Sequence, residues 1–172
     1  SGFLTAQSMK FGGKRIIFDK DRGLEIMVHI MGGVYDVIKP GRPTGFNPCQ
    51  LADTPDNRKF LSGLFKKMLT VNGEKLSDAD GTMIEYAIGG MYRMPQATRQ
   101  LYHLASFFGV KQPGSLRARF DQWHSEGPHA WLFDNEKDNL NLDPDVIGFD
   151  LGSILSDKEC KTPALMYVMH RI

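Results

Sequence analysis

"KRIIFDKDRG", residues 14 to 23, decides the fold. It begins like a buried strand, with Ile16, Ile17 and Phe18 in a row, and then breaks into Asp19, Lys20, Asp21, Arg22 and a glycine. The pattern predicts a strand over Lys14 to Asp19, a short amphipathic helix around Leu24 to Ile30 closed by Gly32-Gly33, and a second strand near Val34 to Ile38. Strands alternating with helices are the grammar of an α/β sheet. Ligands of such sheets gather beyond the carboxyl ends of the strands, which makes Asp19, Lys20, Asp21 and Arg22 candidate site residues. On one reading the acids face a nucleotide or its metal-bound water, and Arg22 or Lys20 meets a phosphate or a neighbouring subunit. On the other, all four are solvated loop charges and a helix cap, because Asp favours helix starts. Local sequence leaves both open.

Upstream, "SGFLTAQSMKFGG" places Phe3, Leu4, Ala6 and Met9 at helical spacing and ends in paired glycines. It reads as the tail of a helix without a start of its own. Downstream, "KPGRPTGFNPCQL" (39 to 51) has the proline and glycine content of a linker. Helical signals follow. In "TPDNRKFLSGLFKKML" Thr54 is an N-cap and Pro55 the first helical residue, with Phe60, Leu61, Leu64, Phe65, Met68 and Leu69 on one face. Ser77 and Asp80 have the spacing of a capping box before the stripe Met83, Ile84, Ala87, Ile88 and Met91. Further helices are predicted over Gln96 to Phe108 and from Ser115 through Trp123. Four short amphipathic helices, none able to bury its face alone, imply a small helical lobe.

The last third returns to α/β. "AWLFDNE" and "VIGFDLGSIL" read as strands joined through "KDNLNLDPD", and a helix opens near Thr162-Pro163. The aspartates and asparagines of that loop lack calcium-loop spacing and read as a turn.

Composition narrows the function classes. The chain has 172 residues, 41% hydrophobic and 24% charged, with a net charge of +1, which suits a globular protein with no general affinity for polyanions. Between Phe46 and Gly127, 10 Lys or Arg face 8 Asp or Glu, so the lobe is nearly balanced too. No apolar run approaches the roughly 18 residues of a spanning helix, and no signal-peptide plan opens the chain, so a cytoplasmic protein is expected. Cys49 and Cys160 read as separate reduced thiols. His29, His103, His124, His129 and His170 show no metal-ligand spacing, and neither Ser77 nor Ser153 lies in a G-x-S-x-G elbow, so no metal site or catalytic residue is assigned. The 172 residues also contain no G-x-x-x-x-G-K-[ST] loop and no apolar strand ending in paired acids.

Four stretches together carry a resemblance: "IIFDKDRGLEI", "GRPTGFNPCQLADTPDNRKFL", "LFDNEKDNLNLDPDVIGFDLGSIL" and "KTPALMYVMHRI". In this order, over essentially the whole chain, they resemble the CagE/TrbE/VirB family of ATPases that power type IV secretion and conjugation, and within it the branch of the fourth VirB component. The resemblance implies a partial RecA-like P-loop NTPase core interrupted by an all-helical lobe: residues 1–49 and 128–172 as core, 50–127 as the insert. The beginning and end of the chain should then converge on one sheet. It also implies a piece lying between the Walker A and Walker B elements, which accounts for two ends that read as truncated. ATP and magnesium are expected for the intact parent, with neither expected bound to this piece, which is expected to be inactive alone. Implied partners are other secretion components and copies of the parent in a hexamer or dimer, at the cytoplasmic face of the bacterial inner membrane. The rival expectation is a non-catalytic helical module whose Arg58, Lys59, Lys66, Lys67, Arg117 and Arg119 contact DNA or a protein partner.

Overall fold

The computed structural model describes residues 7–11 and 14–172. Four strands build one mixed sheet in the order β1-β2-β4-β3: β1 Gln7–Phe11, β2 Lys14–Asp19, β3 Val34–Val37 and β4 Val146–Asp150. β2, β4 and β3 run parallel, and β1 runs antiparallel to β2. The central strand β4 thus comes from the far end of the chain and lies between the two N-terminal parallel strands. The two ends do share a sheet, and the α/β reading holds.

Residues 7–11 correct the first expectation. They form a strand, not the tail of a helix, and the helical spacing expected of Phe3, Leu4 and Ala6 lies outside the described residues. Ser8, Met9, Lys10 and Phe11 alternate polar and apolar with the strand period of two, and Phe11 pairs with Lys14.

The period of two also divides β2. Ile16 and Phe18, in register with Ile147 and Phe149, face the main core, where the rings of Phe18 and Phe149 stack with centroids 6.0 Å apart. Ile17 and Val146 face the opposite side and pack on Val28 of helix α1 (Glu25–Ile30). Tyr35 of β3 crosses this face above Gly148, where any Cβ would collide with its ring.

Between β3 and β4 in the chain lie the helices α2 (Pro55–Met68), α3 (Asp78–Tyr92), α4 (Leu101–Leu104) and α5 (Leu116–Phe120). Their starts follow the predicted chemistry. Thr54 Oγ1 accepts the Asn57 amide at 3.1 Å, Ser77 and Asp80 close a reciprocal capping box, and Ser115 caps α5. The predicted stripes are core: Leu61, Leu64, Phe65, Ile84, Ala87, Ile88 and Met91 are all buried. The single helix expected over Gln96 to Phe108 is instead α4 between two 3₁₀ turns. The break falls at Arg99 and Gln100, which are extended. The buried Arg99 guanidinium reaches back to the carbonyls of Met94 at 3.0 Å and Tyr92 at 3.4 Å, a tertiary demand that overrides helix propensity.

Two further corrections concern the last third. "AWLF" is a helical turn, α6 (Ala130–Phe133), not a strand, and the residues after β4 turn into α7 (Gly152–Leu155). A short apolar run cannot distinguish strand from helix by periodicity, and no sheet partner is available where the carbonyls of Trp131 and Leu132 accept from Thr44. Helix α8 (Lys161–Arg171) matches the prediction and packs on α2, with His170 stacked on Phe60 at 3.7 Å. One buried cluster therefore runs from Ile16 and Phe149 through α8 into the lobe.

The expected linker is a packed seam. Phe46, Asn47, Pro48 and Cys49 are buried as this segment runs beside residues 131–139. Asn47 is its centre. Its side chain donates to the carbonyls of Asn135 at 2.7 Å and Arg99 at 2.8 Å and accepts the Cys49 amide at 3.0 Å, while its own amide donates to Asp138. Asp138 in turn accepts from Tyr167 and Arg171 of α8.

Candidate functional site

β2 and β4 end in the same two residues, Phe18-Asp19 and Phe149-Asp150, paired in register. Asp19 is only 4% exposed, so it does not reach out to a ligand. Its Oδ2 accepts the Leu24 amide at 2.7 Å and the Tyr35 hydroxyl at 2.9 Å, and its Oδ1 accepts the Asp21 amide at 3.2 Å. Burial alone would raise its pKa, but these donors outweigh burial and hold the carboxyl below the usual aspartate range. Burial and the adjacent Asp19 push the Tyr35 hydroxyl upward. Asp19 is the fastening of the turn that follows it.

Asp150 does the same for the next strand. It is 6% exposed, and its Oδ1 accepts the Gly152 amide at 2.8 Å. Gly152 lies so close to the Lys20 carbonyl that a Cβ there would overlap it. The Leu151 amide donates to the Asp19 carbonyl at 2.8 Å, so the two strand ends are tied side by side.

Lys20, Asp21 and Arg22 stand on top of this base and are exposed. Arg22 has φ +57°, a left-handed conformation rare for a residue with a Cβ. Its Nε and Nη2 donate to Glu25 at 3.0 and 2.8 Å in a two-pronged pair. The sequence reading placed Asp19 to Arg22 at the carboxyl end of a strand, where the structure has them, but missed the neighbouring Tyr35, Glu25 and Asp150. The repeated ending "IIFD" and "IGFD" was the available signal for Asp150.

The carboxylates here do not fit a magnesium site. Both Asp19 oxygens are occupied by hydrogen-bond donors, and no group of three or more His, Cys, Asp or Glu suited to a metal occurs among the described residues.

The six basic lobe residues divide. Arg58 pairs with Asp53 and lies 4.7 Å over the Tyr92 ring, Arg117 pairs with Asp121, and Arg119 donates to the carbonyls of Gly114, Leu69 and Lys75. Lys59, Lys66 and Lys67 make no ion pair among the described residues.

Two alignments outside this edge bring catalytic residue types together. His124 lies 3.0 Å from Ser125 and 2.9 Å from Asp121, a carboxylate that Arg117 and Lys111 also pair with and whose pKa is pushed down to about 2. Cys160 lies 3.3 Å from His129, but the thiol is fully buried and burial drives its pKa upward, so the nucleophilic thiolate is disfavoured. Cys49 is likewise a buried free thiol. Among the described residues no helix is long and apolar enough to cross a membrane.

No family model matches the chain. It is 35% identical over 171 residues, 99% of its length, to the type IV secretion system protein virB4 of Bartonella henselae, covering 22% of that protein. It is 33% identical over 185 aligned residues to the type IV secretion system protein PtlC of Bordetella pertussis, again covering 99% of the chain and 22% of the relative. In structure it is similar to VirB4 of Thermoanaerobacter pseudethanolicus, with a TM-score of 0.63 and 17% identity over 90% of this chain and 65% of that one. The chain spans about a fifth of the length of the curated relatives it matches, and over 99% of its own residues it is similar to proteins named as VirB4 and PtlC of type IV secretion systems.

Proposed function

We propose that the chain is part of an ATP-driven motor of type IV secretion. In this reading the sheet belongs to a RecA-like core, residues 50–127 are its inserted helical lobe, and the turn at Asp19 to Arg22 borders the nucleotide. The observation that carries the proposal is similarity over 99% of the chain to proteins named as type IV secretion components. The position of the turn, at the carboxyl edge of parallel strands, supports it.

ATP with magnesium would supply phosphoryl transfer, whose demands are positioning and neutralisation of charge. What these residues contribute is a rigid edge. Asp19 and Asp150 fasten the turn and tie the strand ends, and the Asn47 seam separately holds residues 46–49 against Asn135, Asp138 and Arg99. The parent would act as a hexamer or dimer at the cytoplasmic face of the inner membrane and drive pilus assembly or substrate transfer with other secretion components.

The test is steady-state ATP hydrolysis by a full-length VirB4-type protein carrying this segment and by the 172-residue chain alone. Magnesium-dependent turnover is expected from the first and none from the second. A silent full-length protein contradicts the motor; turnover by the chain alone contradicts the division of labour.

A second reading gives the lobe a nucleic-acid face, and Lys59, Lys66 and Lys67 on α2 favour it because they lack intramolecular partners among the described residues. Duplex DNA titrated at two salt concentrations separates the readings, since phosphate contacts weaken steeply with salt. With three free lysines and a balanced lobe, protein contacts are the expected outcome.

A further inference from the structure

We infer that within Asp19 to Arg22 the guanidinium of Arg22 is the one group offered to a phosphate, and that Asp19, Tyr35 and Glu25 are positioning residues that aim it; this rests on the motor reading above. The four charges are unequal in their surroundings. Asp19 is buried and spends both oxygens on the turn, with Tyr35 reaching across β4 to hold it. Lys20 and Asp21 are exposed, and neither side chain has a hydrogen-bond or ion-pair partner among the described residues to fix it. Arg22 alone is both exposed and fixed.

The way it is fixed matters. A guanidinium has five N–H groups in a planar fork. Glu25 takes the edge formed by Nε and Nη2, and Nη1 makes no hydrogen bond among the described residues. The open edge, Nη1 with the second N–H of Nη2, has the geometry to pair with two oxygens of a phosphate. A carboxylate that holds one side of the fork lowers the rotamer entropy lost when the other side binds.

The backbone gives an independent indication. Arg22 has φ +57° in a turn where glycine would be unstrained. An arginine kept in that conformation adds strain without adding a buried contact, the pattern expected of a site residue and not of a fold-forming one.

The experiment uses the full-length VirB4-type protein with R22G, R22K and E25Q, reading thermal midpoint, KM for ATP and kcat. R22G is expected to keep or raise the midpoint while kcat/KM falls about tenfold or more, the size of a lost charge-assisted hydrogen-bond pair. R22K should lose nearly as much, because an ammonium keeps the charge but not the fork. E25Q should raise KM by a smaller factor with kcat little changed. Wild-type turnover with unchanged kcat/KM in both Arg22 variants overturns the inference while leaving the motor intact. An R22G midpoint well below wild type also overturns it, by making Arg22 a fold-forming residue. Absence of wild-type turnover is the separate failure of the motor reading.

Discussion

The turn at Asp19 to Glu25 and the seam around Asn47 are both dense in polar contacts, yet they serve opposite ends. In the seam every group is spent. Asn47 is fully buried and makes five hydrogen bonds, one of them through its carbonyl to the Gln50 amide, and Asp138 is held by the Asn47 amide, Tyr167 and Arg171. In the turn, saturation stops at the base: Asp19 and Asp150 are closed off, while Arg22 above them keeps part of its fork open and carries a strained backbone. Saturated buried polar groups specify a fold, whereas an open, fixed and exposed group is poised to bind.

The largest expected effect tests the saturated side. Asn47→Ala orphans the Arg99 and Asn135 carbonyls and the Cys49 amide in the interior, and should reduce stability by about 3 kcal/mol in urea unfolding. A loss below about 1 kcal/mol would show the seam to be dispensable. Next in size is Gly152→Ala. Its new Cβ must displace the Lys20 carbonyl, so a loss of about 2 kcal/mol is expected, together with altered amide shifts in the turn and little change in the seam. Spread of those shifts into residues 44–50 would erase the distinction between the two regions.

A smaller effect should appear in acid. The Asp19 carboxyl is held below its ordinary value of 3.8, so its contribution favours the folded state above that value and is lost as pH falls through the folded one. Wild-type stability should therefore drop more than that of Asp19→Asn as pH falls from about 5 to below about 3, measured by urea midpoints. Equal slopes would mean that the charge on Asp19 does not fasten the turn. The smallest effect belongs to the open side: Glu25→Gln should leave the urea midpoint nearly unchanged, because the Arg22–Glu25 pair is solvent-exposed, while still altering ATP affinity in the full-length protein.

Much of this was legible in the chain because it depends on neighbours in sequence. The caps at Thr54, Ser77 and Ser115 and the stripes of α2 and α3 follow from spacing alone, and so does the strand at Lys14 to Asp19. The reading failed where a distant partner decides. "AWLF" became helical beside Thr44, the helix expected over Gln96 to Phe108 broke where Arg99 turned inward, and the proline-rich linker was buried by residues some ninety positions away.

The candidate site divides the same way. Sequence by itself determined that a core strand ends in Asp19, Lys20, Asp21 and Arg22 at the edge where α/β proteins bind ligands, because hydrophobic period and charge are local properties of the chain. Only the tertiary structure decided that Asp19 is a fastening and Arg22 the presented group. That assignment depends on Tyr35 crossing from β3, on β4 arriving from the far end of the chain with Gly148 leaving room for the ring, and on which donors are already bonded. A charged residue becomes structural or available according to its partners in space, and spacing along the chain does not encode them.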